Sequence, residues 1–176
     1  SIGAVTGVIT VANVTMLDYE ATPVFTLTVK ATDAGLLFDT AQVRIDLNNI
    51  DEAPLVIGEG YDTIGNTQLE VDASSLLPDP TLFVVGNLLS NDSDPEGTAL
   101  TASLENANGA TVTVDSDGSF VYTPPVGQFN TMHTFTYRVT DGGGKFAIGT
   151  VTITIVNARV WYVKNNAAGG GLGRSS

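Results

Sequence analysis

"FTYRVTDGG" at residues 135–143 and "FTLTVKATDAG" at residues 25–35 decide the fold. In both, apolar and polar residues alternate with period two, so one set of side chains faces a core and the other faces water. Val, Thr, Phe and Tyr suit a pleated, half-buried strand. Each run then stops on an Asp-Gly-type turn, because Asp closes a turn on nearby backbone N–H groups and Gly accepts the backbone this requires. Each also leads into another alternating stretch, "AQVRIDLNN" (41–49) in one case and "GTVTITIVN" (149–157) in the other. The two pairs form a weak internal repeat.

The same signature recurs along the chain. "GVITVA" (7–12), "LEVDA" (69–73), "LTASLE" (100–105), "ATVTVD" (110–115) and "SFVYTP" (119–124) all read as short antiparallel strands between Gly, Asn, Asp and Pro clusters. Helix signals are nearly absent. The spacing predicts an all-β chain of antiparallel β-sandwiches. The pattern breaks at residues 49–60, "NIDEAPLVIGEG", which predicts a first module over residues 1–54, a second over 55–158 and a tail over 159–176. A complete sandwich needs roughly 100 residues and about seven strands. The first module, with three or four expected strands, is therefore incomplete and leaves an open edge. Both ends of the chain read as cut, as in a fragment of something longer or a processed product.

Composition narrows the function. Seven Lys and Arg stand against 19 Asp and Glu, for a net charge of −12. No Lys or Arg occurs between Arg44 and Arg138, where 14 of the 19 acids fall. Nucleic acid is excluded as a partner, since phosphate binding needs cations. Either bound metal cations offset this charge or the fold tolerates self-repulsion. Cysteine is absent, so neither disulfides nor thiolate ligands are available. No run approaches the ~18 apolar residues of a membrane span. There is no G-x-S-x-G, and His133 is the single histidine, expected at a surface or edge. Nothing supports a catalytic reaction.

Four oxygen-rich groups stand out. They are Asp18 and Glu20 in "LDYE", then Asn49, Asp51 and Glu52 in the linker, then Asp92, Asp94 and Glu96 in "SNDSDPEG", then Asp141 in "VTDGG". Calcium takes about six to eight oxygens from carboxylates and carbonyls. In an extended segment, D-x-E and D-x-D spacings turn two carboxylates to one side. The plain alternative is an Asp-rich turn, which is the reading for "DSDG" (115–118) and for Glu96. For "SNDSDPEG" as a whole, both readings stand.

Residues 1–54 resemble the C-terminal half of a cadherin repeat, through "GVITVA", "LDYE", "FTLTVKATDAG" and "VRIDLNNIDEAP" in that order. Residues 60–157 resemble the bacterial cadherin-like or Ig-like repeat of large surface proteins, through "LLSNDSDPEGTALTASL", "GATVTVDSDGSFVYTPPVGQFN", "HTFTYRVTDGGG" and "GTVTITIVN". "VWYVKNNAAGGGLGRSS" (160–176) resembles the opening of a further module. The resemblance implies Ig/cadherin-like sandwiches in tandem, the first incomplete. It implies calcium between the modules, with Asp18, Glu20, Asn49, Asp51, Glu52, Asp92, Asp94 and Asp141 as ligands. Compared with the family's D-x-N-D-N linker, this one is a residue shorter, with Asn49 at an Asp position and Asp51 at an Asn position. Asp33 would face a linker upstream of this chain. "YTPPVGQFN" stands where a D-x-E would lie, so the junction toward Trp161 is expected to lack calcium.

The expected function is a non-catalytic, adhesive or structural segment of a secreted bacterial surface protein, stiffened by calcium at the junction. Its partners would be neighbouring modules of the same protein or copies of itself, with a cell-surface protein or glycan as a further partner. A second expectation is a filament subunit, the open first module being completed by strands from another chain, with "VWYVKNN" (160–166) as the donor. A third is a glycan-binding accessory module. Against that third reading, Tyr122, Phe135 and Tyr137 fall at core positions and Trp161 lies in the tail. Asn13 and Asn91 fit the N-glycosylation sequon, a minor expectation for a bacterial protein.

Overall fold

The computed structural model describes Gly3, residues 6–74 and residues 81–157. The expectations for residues 158–176 lie outside these described residues. The strands are β1 (Val24–Thr32), β2 (Phe38–Asp46), β3 (Glu59–Ile64), β4 (Gln68–Asp72), β5 (Thr81–Val85), β6 (Thr101–Asn106), β7 (Thr111–Val114), β8 (Phe120–Thr123), β9 (Thr131–Thr140) and β10 (Phe146–Val156). β1 and β2 form a two-stranded sheet. The rest form two four-stranded sheets, ordered β3-β10-β9-β6 and β5-β4-β8-β7. The all-β sandwich predicted from the alternation, with the Ig/cadherin-like character that the resemblance implies, is the architecture found.

The inward residues of both four-stranded sheets build one core. Leu69, Val71, Phe120 and Tyr122 come from one sheet, and Phe135, Tyr137, Val139, Val151, Ile153 and Ile155 from the other. Phe120 meets Phe135 edge-on, with ring centroids 5.4 Å apart. Such aromatic pairs contribute about 0.5–1.5 kcal/mol beyond their buried area. Gly149 pairs with Tyr137 across the β9–β10 ladder, and a Cβ there would strike the Tyr137 ring. The glycine lets that ring lie over β10, with its hydroxyl directed at the end of the sandwich that receives the linker. His133 is corrected from a surface or edge position. It stands half-buried on the inward side of β9, an interior strand, with its ring 6.4 Å from that of Tyr122.

Two strand pairs are parallel where antiparallel pairing was expected. β3 runs alongside β10, from Glu59↔Val151 to Ile64↔Val156, and β4 runs alongside β5. The cause is the tight turn after β3, closed by Thr67 N–H donating to the Ile64 carbonyl at 3.0 Å. It carries the chain into the opposite sheet, so β3 does not pair with β4 and takes the β10 edge instead.

The first module holds fewer strands than expected. "GVITVA" is not a strand, Ile9 making only an isolated bridge, and Val14–Met16 forms a single 3-10 turn. Ile9 and Val11 instead line an open groove of about 810 Å³ with Phe25, Leu27, Val29 and Ile45 of the β1–β2 face. With no opposing sheet among the described residues, no residue of β1 or β2 is fully buried.

Candidate metal centre

The linker is clamped to the loop that carries the D-x-D. Leu55 and Ser93 exchange backbone hydrogen bonds of 2.8 and 3.1 Å. The Ile57 N–H donates to Asp92 Oδ1 at 2.8 Å, and the Glu52 N–H donates to Glu96 Oε1 at 3.1 Å. Pro54 is buried between these contacts and has no N–H to satisfy. Acids of the linker and of the second module are thereby held together.

They form two arcs that share Glu96. In the first, one carboxylate oxygen each of Glu20, Glu52 and Glu96 lie within 4.8 Å of one another. Asp18 adds its field to Glu52, while its Oδ1 accepts from Ala21 N–H at 2.9 Å. In the second arc, Asp51 feels the charges of Asp141, Glu96 and Asp94. Gly143 leaves the space that the Asp51 carboxylate fills, since a Cβ there would collide with both its oxygens.

Each acid of the second module in these arcs uses one oxygen for the fold and leaves the other unspent. Asp94 Oδ2 accepts from Thr98 N–H at 2.7 Å, while Oδ1 is buried without a hydrogen-bond partner. Glu96 Oε2 is likewise buried and unpartnered. Asp141, only 7% exposed, accepts from Gly143 and Lys145 N–H on Oδ1 at 2.9 and 2.8 Å, and its Oδ2 has no partner. A buried carboxylate oxygen without a donor is costly. Three of them beside further acids fit a hard cation, and an all-oxygen donor set is what calcium takes. The turn acid Asp117 behaves differently. Its Oδ1 accepts from both the N–H and the hydroxyl of Ser119, which holds its carboxyl below the usual range.

The electrostatics follow from the crowding. The Glu52 carboxyl is pushed up to about 7 by its contact with Glu96, by burial, and by the charges of Glu96, Glu20 and Asp18. Burial, then Asp141 and Glu96, raise Asp51, while Lys145 opposes this.

Two predicted ligands stand apart. Asp92 turns away from the arcs, its Oδ2 lying 3.5 Å from the Tyr137 hydroxyl, which also donates to Glu59 Oε2 at 3.0 Å. The i, i+2 rule fails there because Ser93 makes only an isolated bridge before the Asp94–Gly97 turn redirects the chain. Asn49 is exposed, and none of its hydrogen bonds among the described residues joins it to the arcs. Glu96, expected to be a solvated turn residue, is corrected to the acid common to both arcs.

The two repeat turns are closed alike. Asp33 Oδ1 accepts from Gly35 and Leu37 N–H at 2.8 and 3.0 Å, the same i+2 and i+4 bonds that Asp141 makes. Asp33 is exposed. Of the exposed aromatic rings, Phe38 and Phe146 carry Lys30 and Arg138 over their faces, at 3.8 and 3.9 Å from the centroids.

Residues 52–154 match the family described as bacterial Ig domain. No match was found among curated proteins. Among solved structures, the chain is similar to mouse cadherin-23 EC22-24, at 19% identity and a TM-score of 0.45, covering 81% of this chain and 45% of that one. It is also similar to protocadherin gamma B7 extracellular cadherin domains 1-4, at 23% identity and a TM-score of 0.45, covering 81% of this chain and 34% of that one. A third is a nucleoside hydrolase-related hypothetical protein from Saccharophagus degradans, at 14% identity and a TM-score of 0.42, covering 60% and 26%. The chain thus spans less than half the length of each of these structures.

Proposed function

Since the chain belongs to the bacterial Ig-domain family, we propose that it is a non-catalytic structural or adhesive segment of a secreted bacterial surface protein, with calcium bound where its two modules meet. The observation that carries this reading is the set of buried, unpartnered oxygens on Asp94, Glu96 and Asp141, facing an acidic linker. Asp18 and Glu20 of the first module, Asp51 and Glu52 of the linker, and Asp94, Glu96 and Asp141 of the second would hold the ion. Calcium would supply positive charge to a group of carboxylates that otherwise repel one another. The chain's own part is to hold these oxygens at one junction, through the Leu55–Ser93 bridge and the Glu52–Glu96 bond. Asp92 supports the linker through Ile57 rather than facing the ion. A weak site of ~10⁻⁴ M suffices at extracellular calcium levels.

Thermal melts of the chain in EDTA and in millimolar calcium test this. With free calcium about 10-fold above a Kd of ~10⁻⁴ M, stability should rise by about 1.4 kcal/mol. An unchanged melt sinks the calcium reading and leaves the acidic linker a solvated hinge.

The open groove over β1 and β2 favours a second reading, in which the first module is completed by a strand from another copy, with residues 160–166 as donor. A sizing column separates the two, since strand exchange gives a polymer that grows with concentration.

A further inference from the structure

The end of the sandwich opposite the linker is poorer in charge, with Asp62 exposed on β3 beside Thr154. Residues 118–137 and 146–158 contain no Asp, Glu, Lys or Arg, in a chain of net charge −12. Two turns at this end are locked to each other. Asn66 Oδ1 accepts from the Gly127 N–H at 3.0 Å, and Gly65 is the site where a Cβ would collide with the Phe129 ring. The Gln128 N–H closes on the Pro125 carbonyl at 3.3 Å, with Gly127 at φ 79°. This holds Val126 at the turn's tip, 93% exposed. Phe129 is 43% exposed, Met132 65% and Val156 38%. Met132 pairs with Thr154, so Met132 and Val156 share the outward face of neighbouring strands. The Gly65 N–H donates to the Val156 carbonyl at 3.3 Å, which joins that face to the Phe129 ring.

A fixed apolar surface of this kind marks a contact site. The polypeptide itself supplies an occupant: β10 ends at Val156 on this surface, and four residues later the sequence reads Val160-Trp161-Tyr162-Val163. At about 3.3 Å per extended residue, Val160 lies within about 13 Å of Val156. We propose that residues 160–163 of the same chain dock on the patch formed by Val126, Phe129, Met132 and Val156, making a dry, metal-free junction at this end.

Trp161 is the single tryptophan, so indole emission of the full chain reports this contact directly. The emission maximum should lie to the blue of indole in water, with reduced quenching by acrylamide. Val126→Asp and Met132→Asp, both at highly exposed positions, should each shift it to the red and restore quenching, with circular dichroism unchanged. Leu36→Asp, an equally exposed apolar position on the first module, should leave emission where it was. EDTA should also leave it unchanged, so failure of the calcium reading would not touch this one. Emission like that of indole in water, indifference to both patch variants, or dependence on EDTA would overturn the proposal. A blue shift lost on dilution would also overturn it, placing the segment on another copy.

Discussion

Asp92 and Asp94 are two residues apart and serve different neighbours, which separates them experimentally. Asp94→Asn should abolish the calcium-induced rise in Tm while leaving the melt in EDTA unchanged or higher, because an unpaired buried charge is removed. Asp92→Ala should keep the calcium response but cost about 1–3 kcal/mol in EDTA, through the lost bond to Ile57 N–H. Paired melts of the two variants check both. Leu36 gives a second test at this scale. It occupies the turn position that Gly144 fills in the other repeat, at φ 69° against 92°. A left-handed backbone costs a non-glycine residue about 1–2 kcal/mol, part of which glycine returns as unfolded-chain entropy. Leu36→Gly should therefore stabilise the first module by up to about 1 kcal/mol, read by denaturant titration. Asp141 and Asp51 were legible in the sequence because turn chemistry and an unbalanced acidic linker announce themselves locally. Glu96 was not, because "DPEG" has a solvated turn's composition. Its burial comes from a linker 44 residues away.

Among the elements, β3 carries a pH dependence at its first residue. Burial pushes the Glu59 carboxyl from 4.5 up to about 7, and the nearby charge of Asp92 adds to this against hydrogen bonds from Tyr137 and Asn91. A carboxyl whose folded value lies above its unfolded one binds its proton more tightly in the folded state. It therefore contributes stability that is complete below about 4.5 and is lost as pH rises through about 7. In EDTA, the chain should melt higher at pH 5 than at pH 8. Glu59→Gln, which resembles the protonated form, should shrink that difference, and the part that remains belongs to Glu52, Asp51 and Asp92, raised in the same direction. A melt that rises with pH would contradict the assignment. Strands with Val, Thr, Phe and Tyr in alternation were readable, as β8, β9 and β10 show. β3 was not, since "EGYDTI" turns Glu59, Tyr61 and Thr63 inward and shows no apolar period. β5 was missed because "TLFVV" is a continuous apolar run rather than an alternating one. "GVITVA" failed in the other direction: it has the pattern of a strand, but a strand also needs a partner edge, and no sequence pattern states whether one is in place.

At the scale of the molecule, the chain divides its chemistry between two ends, acidic where the linker enters and poorer in charge where β10 leaves. The parallel β3–β10 pair connects them. β3 begins beside the linker at Glu59, and β10 ends at Val156 on the opposite end, six residue pairs in register. A pull applied through the linker and through the segment after Val156 acts along both strands in opposite directions. It loads the ladder in shear, so its hydrogen bonds must yield together rather than peel one by one. Single-molecule extension between those two points should give a high unfolding force for the sandwich. Pulling instead between Thr131, where β9 starts, and Ile155, its partner near the end of β10, peels the antiparallel pair from its open end and should need much less. Tandem copies of such a unit would carry tension along a cell surface with the first and last strands of each sandwich as its latch.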